Sequence, residues 1–122
     1  MQEQGKALEG RTKEFAVAVL WLVRALPSST ADQVLGRQLL RAASAIGANY
    51  RAARRSRSAR EFVARLAVVV EESDESVYWL EIFARMPTGP SQDLRGFLQE
   101  SRQLRAIFSA SLRTAKSRMC GA

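Results

Sequence analysis

Histidine is absent from this 122-residue chain, and cysteine occurs once, at Cys120. Those two gaps remove Ser-His-Asp and Cys-His nucleophilic sites, Cys/His zinc sites, CxxC redox pairs and any internal disulfide. Long apolar runs are missing too. The longest, Phe15 to Val23, has nine residues, against the ~20 that a membrane-spanning helix needs. The N-terminal segment MQEQGKALEG is polar and carries two Glu, unlike the basic start and apolar core of a signal peptide. A soluble, cytoplasmic protein without membrane contact is expected, and a lone thiol fits a reducing compartment. No enzymatic activity, cofactor or metal is expected.

Lysine is scarce as well: 3 Lys stand beside 16 Arg, and with 12 Asp and Glu the net charge is +7. Arginine carries a rigid fork of donors suited to phosphates, carboxylates and aromatic faces. A GC-rich genome also favours Arg codons, so the composition alone decides nothing. Placement along the chain must do that.

A chain of this length forms one compact domain. Pro27 closes a first segment, Arg54 to Ser58 makes a polar break, and Pro87-Thr88-Gly89-Pro90 closes a third segment. Each of the four resulting segments has a helical period, and none alternates as a half-buried strand does. The spacing predicts helices over about 8–26, 31–53, 59–86 and 92–117. Four helices of similar length joined by short turns predict an all-α, up-down-up-down antiparallel four-helix bundle, a single domain over 1–122.

In the first helix Leu8, Phe15, Val19, Leu22 and Leu26 share one side, while Val17, Leu20 and Trp21 lie opposite. A helix apolar on both sides is expected to be covered by its own bundle and by another subunit. The second helix opens with Thr30-x-x-Gln33, which fits a capping box. Its core stripe is Leu35, Leu39, Ala42, Ile46, Tyr50 and Ala53, with Asn49 inside it. Arg37, Arg41, Arg51 and Arg55 form the opposite edge, about 30 Å long. Asn49 and Tyr50 are expected to serve the core.

Ser58-x-x-Glu61 is a second capping box, opening the third helix. Phe62, Leu66, Val69, Ser73, Ser76, Leu80 and Phe83 then mark heptad a and d positions, with Glu71, Asp74 and Glu75 on the far side. The seam serines are small enough for close helix approach. Ser91 is placed to cap the fourth helix, whose apolar side is Leu94, Phe97, Leu104, Ile107, Phe108, Leu112 and Ala115. Its basic residues Arg95, Arg102, Arg105, Arg113 and Lys116 fall within about 80° of one another.

Segment charges then sharpen the picture. Residues 1–32 sum to 0, 33–65 to +7, 66–93 to −5 and 94–122 to +5. Two readings follow: subunits docking acidic face to basic face, or a basic surface presented to an anionic polymer. The densest element holds Arg51, Arg54, Arg55, Arg57 and Arg60, five arginines in ten residues across the second helix corner. Phosphate contact is one use for such a corner, with Ser56, Ser58 and the free amides of the next helix beside it. A solvated loop with arginines paired to Glu61 or to a neighbour's acids is the other. No aromatic residue is interleaved for base stacking. Glu71 and Glu75 are one turn apart, but a di-iron bundle needs a histidine beside such glutamates, so a salt-bridge face between subunits is expected there. Trp21 and Trp79 lie off the main stripes and are assigned to an interface.

Several stretches together resemble a known family: Gln38-Leu39-Leu40-Arg41-Ala42-Ala43-Ser44-Ala45-Ile46-Gly47-Ala48-Asn49-Tyr50, then Arg57-Ser58 with Glu61-Phe62, then Glu75 to Leu80, then Leu112-Arg113-Thr114-Ala115-Lys116. In order and spacing they are similar to the bacterial four-helix bundle proteins first noticed as products of intervening sequences in large-subunit ribosomal RNA genes. The accessory variability protein of diversity-generating retroelements is similar to that family too. The resemblance spans residues 12–118. It implies a homopentameric barrel of bundles and, for the retroelement branch, a basic surface that binds nucleic acid and a partner reverse transcriptase. Ala52-Ala53 after Asn49-Tyr50, and Glu71-Glu72 in the third helix, depart from the common pattern and mark a subfamily.

The expected function is therefore that of a non-enzymatic homo-oligomer, pentameric by resemblance, that binds DNA or RNA without sequence preference as an accessory protein. The cations assigned to nucleic acid are Arg37, Arg41, Arg51, Arg54, Arg55, Arg57, Arg60, Arg102, Arg105, Arg113 and Lys116. Val17, Leu20, Trp21, Glu71, Glu75 and Trp79 are assigned to subunit contacts. The alternative is an oligomeric protein–protein scaffold that binds no nucleic acid.

Overall fold

The apolar spacing becomes four α-helices in the computed structural model, which describes residues 2–86 and 93–121. They are α1 (Gln2–Arg24), α2 (Thr30–Arg54), α3 (Ala59–Ala84) and α4 (Arg95–Gly121), with no strand among the described residues. Each helix packs antiparallel on the next, and the seam between α1 and α4 is the sparsest of the four. The result is an all-α antiparallel four-helix bundle.

Its core follows the stripes. Phe15, Val19 and Leu22 of α1 meet Leu39, Ile46 and Tyr50 of α2, Leu66, Val69, Leu80 and Phe83 of α3, and Leu104 and Phe108 of α4, all buried. At roughly 1.5–3 kcal/mol for each large apolar side chain removed from water, this cluster is the main driving force for the fold. The seam serines act as their size suggests. Ser73 and Ser76 are buried and donate to the carbonyls of Val69 and Glu72 one turn back, at 2.8 and 3.0 Å, so each satisfies its hydroxyl without bulk. Asn49 likewise donates to the Ala45 carbonyl at 2.8 Å within its own helix.

Helix ends differ from the spacing in instructive places. The residue that caps α2 is Ser29, not Thr30: extended at ψ 152°, it accepts the Asp32 amide at 3.1 Å, while Gln33 donates to the Pro27 carbonyl at 3.0 Å. With Ser29 as cap, Asp32 is the third residue of the first turn, where its negative charge favourably meets the positive end of the helix dipole. Ser58 caps α3 as expected, accepting the Glu61 amide at 3.1 Å, but the Glu61 carboxylate takes the amide of Arg57 rather than that of Ser58. At α4, Asp93 accepts the Arg95 amide at 2.9 Å and its side chain too, and this guanidinium holds the Asp93 carboxyl below the usual range. The Pro87-Thr88-Gly89-Pro90 turn and Ser91 lie outside the described residues. Helix α1 starts about six residues before the expected boundary, with Glu3 favourable in its first turn.

Two close approaches fix how α1 lies on the bundle. A Cβ on Gly47 would sit 2.9 Å from the hydroxyl of buried Thr12, so α1 and α2 meet there almost backbone to backbone. On the opposite side Arg11 closes the thin α1–α4 seam: its guanidinium grips both Glu100 oxygens at 2.7 Å and Gln103 at 2.6 Å. The Glu100 bonds keep Arg11 still more firmly protonated.

Candidate nucleic-acid interface

The α2–α3 corner is built by backbone needs before it serves any ligand. Ser58 is spent on the cap, and Arg65 donates to the Ala52 carbonyl at 2.9 Å while pairing with Glu61 at 2.8 Å, so α3 holds the last turn of α2. That frame turns Arg55, Arg57 and Arg60 outward, all exposed. Ser56 is different: its hydroxyl is buried without a partner. It lines a cleft with Gly5, Leu8, Tyr50, Arg54, Phe62 and Ser111. One cleft thus gathers the start of α1, the end of α2, the start of α3 and the second half of α4, and these four parts define one end of the bundle.

The cations assigned from the sequence divide into two groups. In the first, each arginine already has a carboxylate of its own chain. Arg41 pairs with Glu72 and Glu75, Arg102 with Glu81 at 3.1 Å, Arg105 with Asp74 at 2.8 Å, and Arg54 with Glu9. The exposed pairs contribute only about 0–1 kcal/mol each, but they neutralise the α3 acids from within. Glu72, Asp74, Glu75 and Glu81 each have an arginine partner within the chain. Arg54 is the most embedded of the four: its guanidinium lies against α1 where a Cβ on Gly5 would fall 2.6 Å from Nε. Arg54 therefore docks α1 onto α2, a structural use the corner composition did not reveal.

The second group is Arg37, Arg51, Arg55, Arg57, Arg60, Arg113 and Lys116, all exposed and without an ion pair among the described residues. All but Arg37 belong to the end of the bundle just defined. The sequence reading missed further cations there, exposed Arg118 of α4 among them. Lys6 and Lys13 of α1 line a groove with Arg51 and Arg55 of α2, and its remaining walls are Glu9, Gly10, Thr12, Ala16, Ser44, Gly47 and Ala48, around a space of about 500 Å³. The signal was present: Lys6 and Lys13 are seven residues apart, hence on one face, but the zero net charge of residues 1–32 hid them.

Among the described residues no aromatic side chain is fully exposed on this end, although half-buried Phe62 lines its cleft. Tyr50 is buried with its ring 4.9 Å from that of Phe108, and burial raises its hydroxyl pKa above the ordinary value, so it stays neutral. The exposed aromatics are elsewhere. Trp21 is 58% exposed, with the Arg24 guanidinium 4.9 Å from its ring centre, and Tyr78 is 54% exposed.

The residues assigned to subunit contacts also divide. Val17 and Leu20 lie beside Trp21 on the outer face of α1, exposed at 42% and 38%. Glu71 is exposed on α3. Glu75 and Trp79, in contrast, are half-buried and joined to each other and to Arg41, the Trp79 indole donating to Glu75 at 3.1 Å. Trp79 packs against the core. Among the described residues no cluster of His, Cys, Asp or Glu is arranged to hold a metal ion, and no helix is long and apolar enough to cross a membrane.

These features define an antiparallel helical bundle with a cationic end and an uncovered apolar strip on its first helix. The sequence matches the 23S rRNA-intervening sequence protein family over residues 9–110, and the chain belongs to that family. A crystal structure of a protein of unknown function from the S23 ribosomal protein family of Bacteroides thetaiotaomicron VPI-5482 is similar, with a TM-score of 0.80 at 25% identity over 89% of this chain and 97% of that one. No curated protein matches the chain.

Proposed function

We propose that this protein is a non-enzymatic, homo-oligomeric accessory protein that binds nucleic acid through phosphate contacts. The observation that carries the reading is the gathering of unpaired arginines and lysines at one end of the bundle, while the arginines beside α3 are neutralised within the chain. Each exposed cation near a phosphate displaces counterions, and several together give affinity without reading bases. The Val17, Leu20 and Trp21 strip supports self-association, since exposed apolar groups at one site mark an interface. A ring of subunits, five by family resemblance, would repeat the cationic end and turn weak contacts into avid ones. The same resemblance makes a reverse transcriptase the proposed protein partner.

The paired and unpaired groups provide the test. Fluorescence anisotropy with a labelled RNA or DNA should show a large drop in affinity in Arg55/Arg57/Arg60→Ala and little in Arg102/Arg105→Ala. Equal drops, or no binding by the wild-type protein at low salt, would reject the proposal. Sedimentation of the wild type against Leu20→Glu/Trp21→Glu tests assembly: a multimer should dissociate, whereas a wild-type monomer would contradict the oligomeric part.

A further inference from the structure

We infer that the α1–α2 groove follows the sugar-phosphate backbone of a double-stranded nucleic acid rather than a single strand, an inference that rests on the nucleic-acid reading above. Three observations point there. First, cations rise from both walls: Lys6 and Lys13 from α1, Arg51 and Arg55 from α2. Along α1 the two lysines are separated by about 10 Å. Lysines that far apart reach separate phosphates of one strand. Second, the floor is low, because Gly10 and Gly47 bring no side chain and Thr12 is buried beneath it. A phosphate can therefore come close to rigid helical walls. Third, no aromatic ring lines the groove. Single strands are held largely by base stacking on such rings, worth about 1–3 kcal/mol per base. Duplexes, whose bases are already stacked, are bound through shape and phosphates. Glu9 also lines the groove, but Arg54 engages it.

The test uses the full-length protein and three labelled probes of one sequence: duplex RNA, duplex DNA and the single strand. Both duplexes should bind about tenfold or more tightly than the single strand, the affinity that one or two stacked bases would otherwise add. Lys6→Ala/Lys13→Ala should make the slope of log affinity against log salt shallower by about 2 on duplex, since each neutralised phosphate contributes about 0.9 to that slope. Both lysines are exposed, so circular dichroism and melting should stay as in the wild type. A single strand bound as tightly as duplex would overturn the inference. So would an unchanged slope in the lysine variant alongside abolished binding in Arg57/Arg60→Ala, and in either case the nucleic-acid function would stand. Binding of none of the probes at low salt would overturn both.

Discussion

Replacing Gly47 with alanine perturbs the closest approach between α1 and α2 and the floor of the cationic groove together. The new Cβ would lie 2.9 Å from Thr12 Oγ1 and 3.2 Å from Thr12 Cβ. Thr12 cannot swing aside: it is fully buried, and its hydroxyl donates to the Glu9 carbonyl at 2.9 Å. The helices must part by several tenths of an ångström, an overpacking that costs about 1–3 kcal/mol. Against this, alanine is the better helix former by about 1 kcal/mol. The net effect is destabilisation of about 1 kcal/mol, or a melting temperature lower by roughly 4 °C for a chain of this size. Making Gly47→Ala in a Thr12→Ala background removes the atom met at 2.9 Å, and there the penalty should shrink by about 1 kcal/mol. Thermal and urea denaturation of the wild type, the two single variants and the double variant measure it. A Gly47→Ala variant that melts above wild type, or a penalty unchanged without the Thr12 hydroxyl, would refute the close approach.

Arg54 and Arg55 are adjacent in sequence and should separate in experiment. Arg54→Ala breaks a half-buried pair with Glu9 and should cost about 1 kcal/mol of stability. Arg55→Ala should leave melting unchanged and weaken nucleic-acid binding, with anisotropy and calorimetry reading the two effects separately. At the start of α2, Ser29→Ala should lose about 1 kcal/mol and Thr30→Ala almost nothing, as measured by urea midpoints. The reverse order would restore Thr30 as the cap.

What sequence periodicity showed well was everything set within one helix. Leu39, Ile46 and Tyr50 repeat at the spacing of a single face, and Ser58 with Glu61 marks a start whose chemistry is local. The α2 start was off by one because Ser29 and Thr30 both carry a capping hydroxyl, and only the docking of Asp32 and Gln33 decides between them. The fate of the arginines was not legible for a different reason. Arg41 meets acids 31 and 34 residues away, and Arg54 meets one 45 residues away. Such pairs depend on how far one helix is slid along the next, which no single-helix pattern fixes. Gly5 and Gly47 set part of that sliding by admitting a guanidinium and a threonine against the backbone, and a glycine inside a helix gives no sign of its neighbour.

The salt dependence of binding tests the central claim most directly. With four to six unpaired cations of one subunit on phosphates, log affinity for a duplex should fall against log salt with a slope of about −4 to −5, and Arg55/Arg57/Arg60→Ala should flatten it by about 3. A wild-type slope near zero, or the same slope in the variant, would contradict phosphate neutralisation by this end of the bundle.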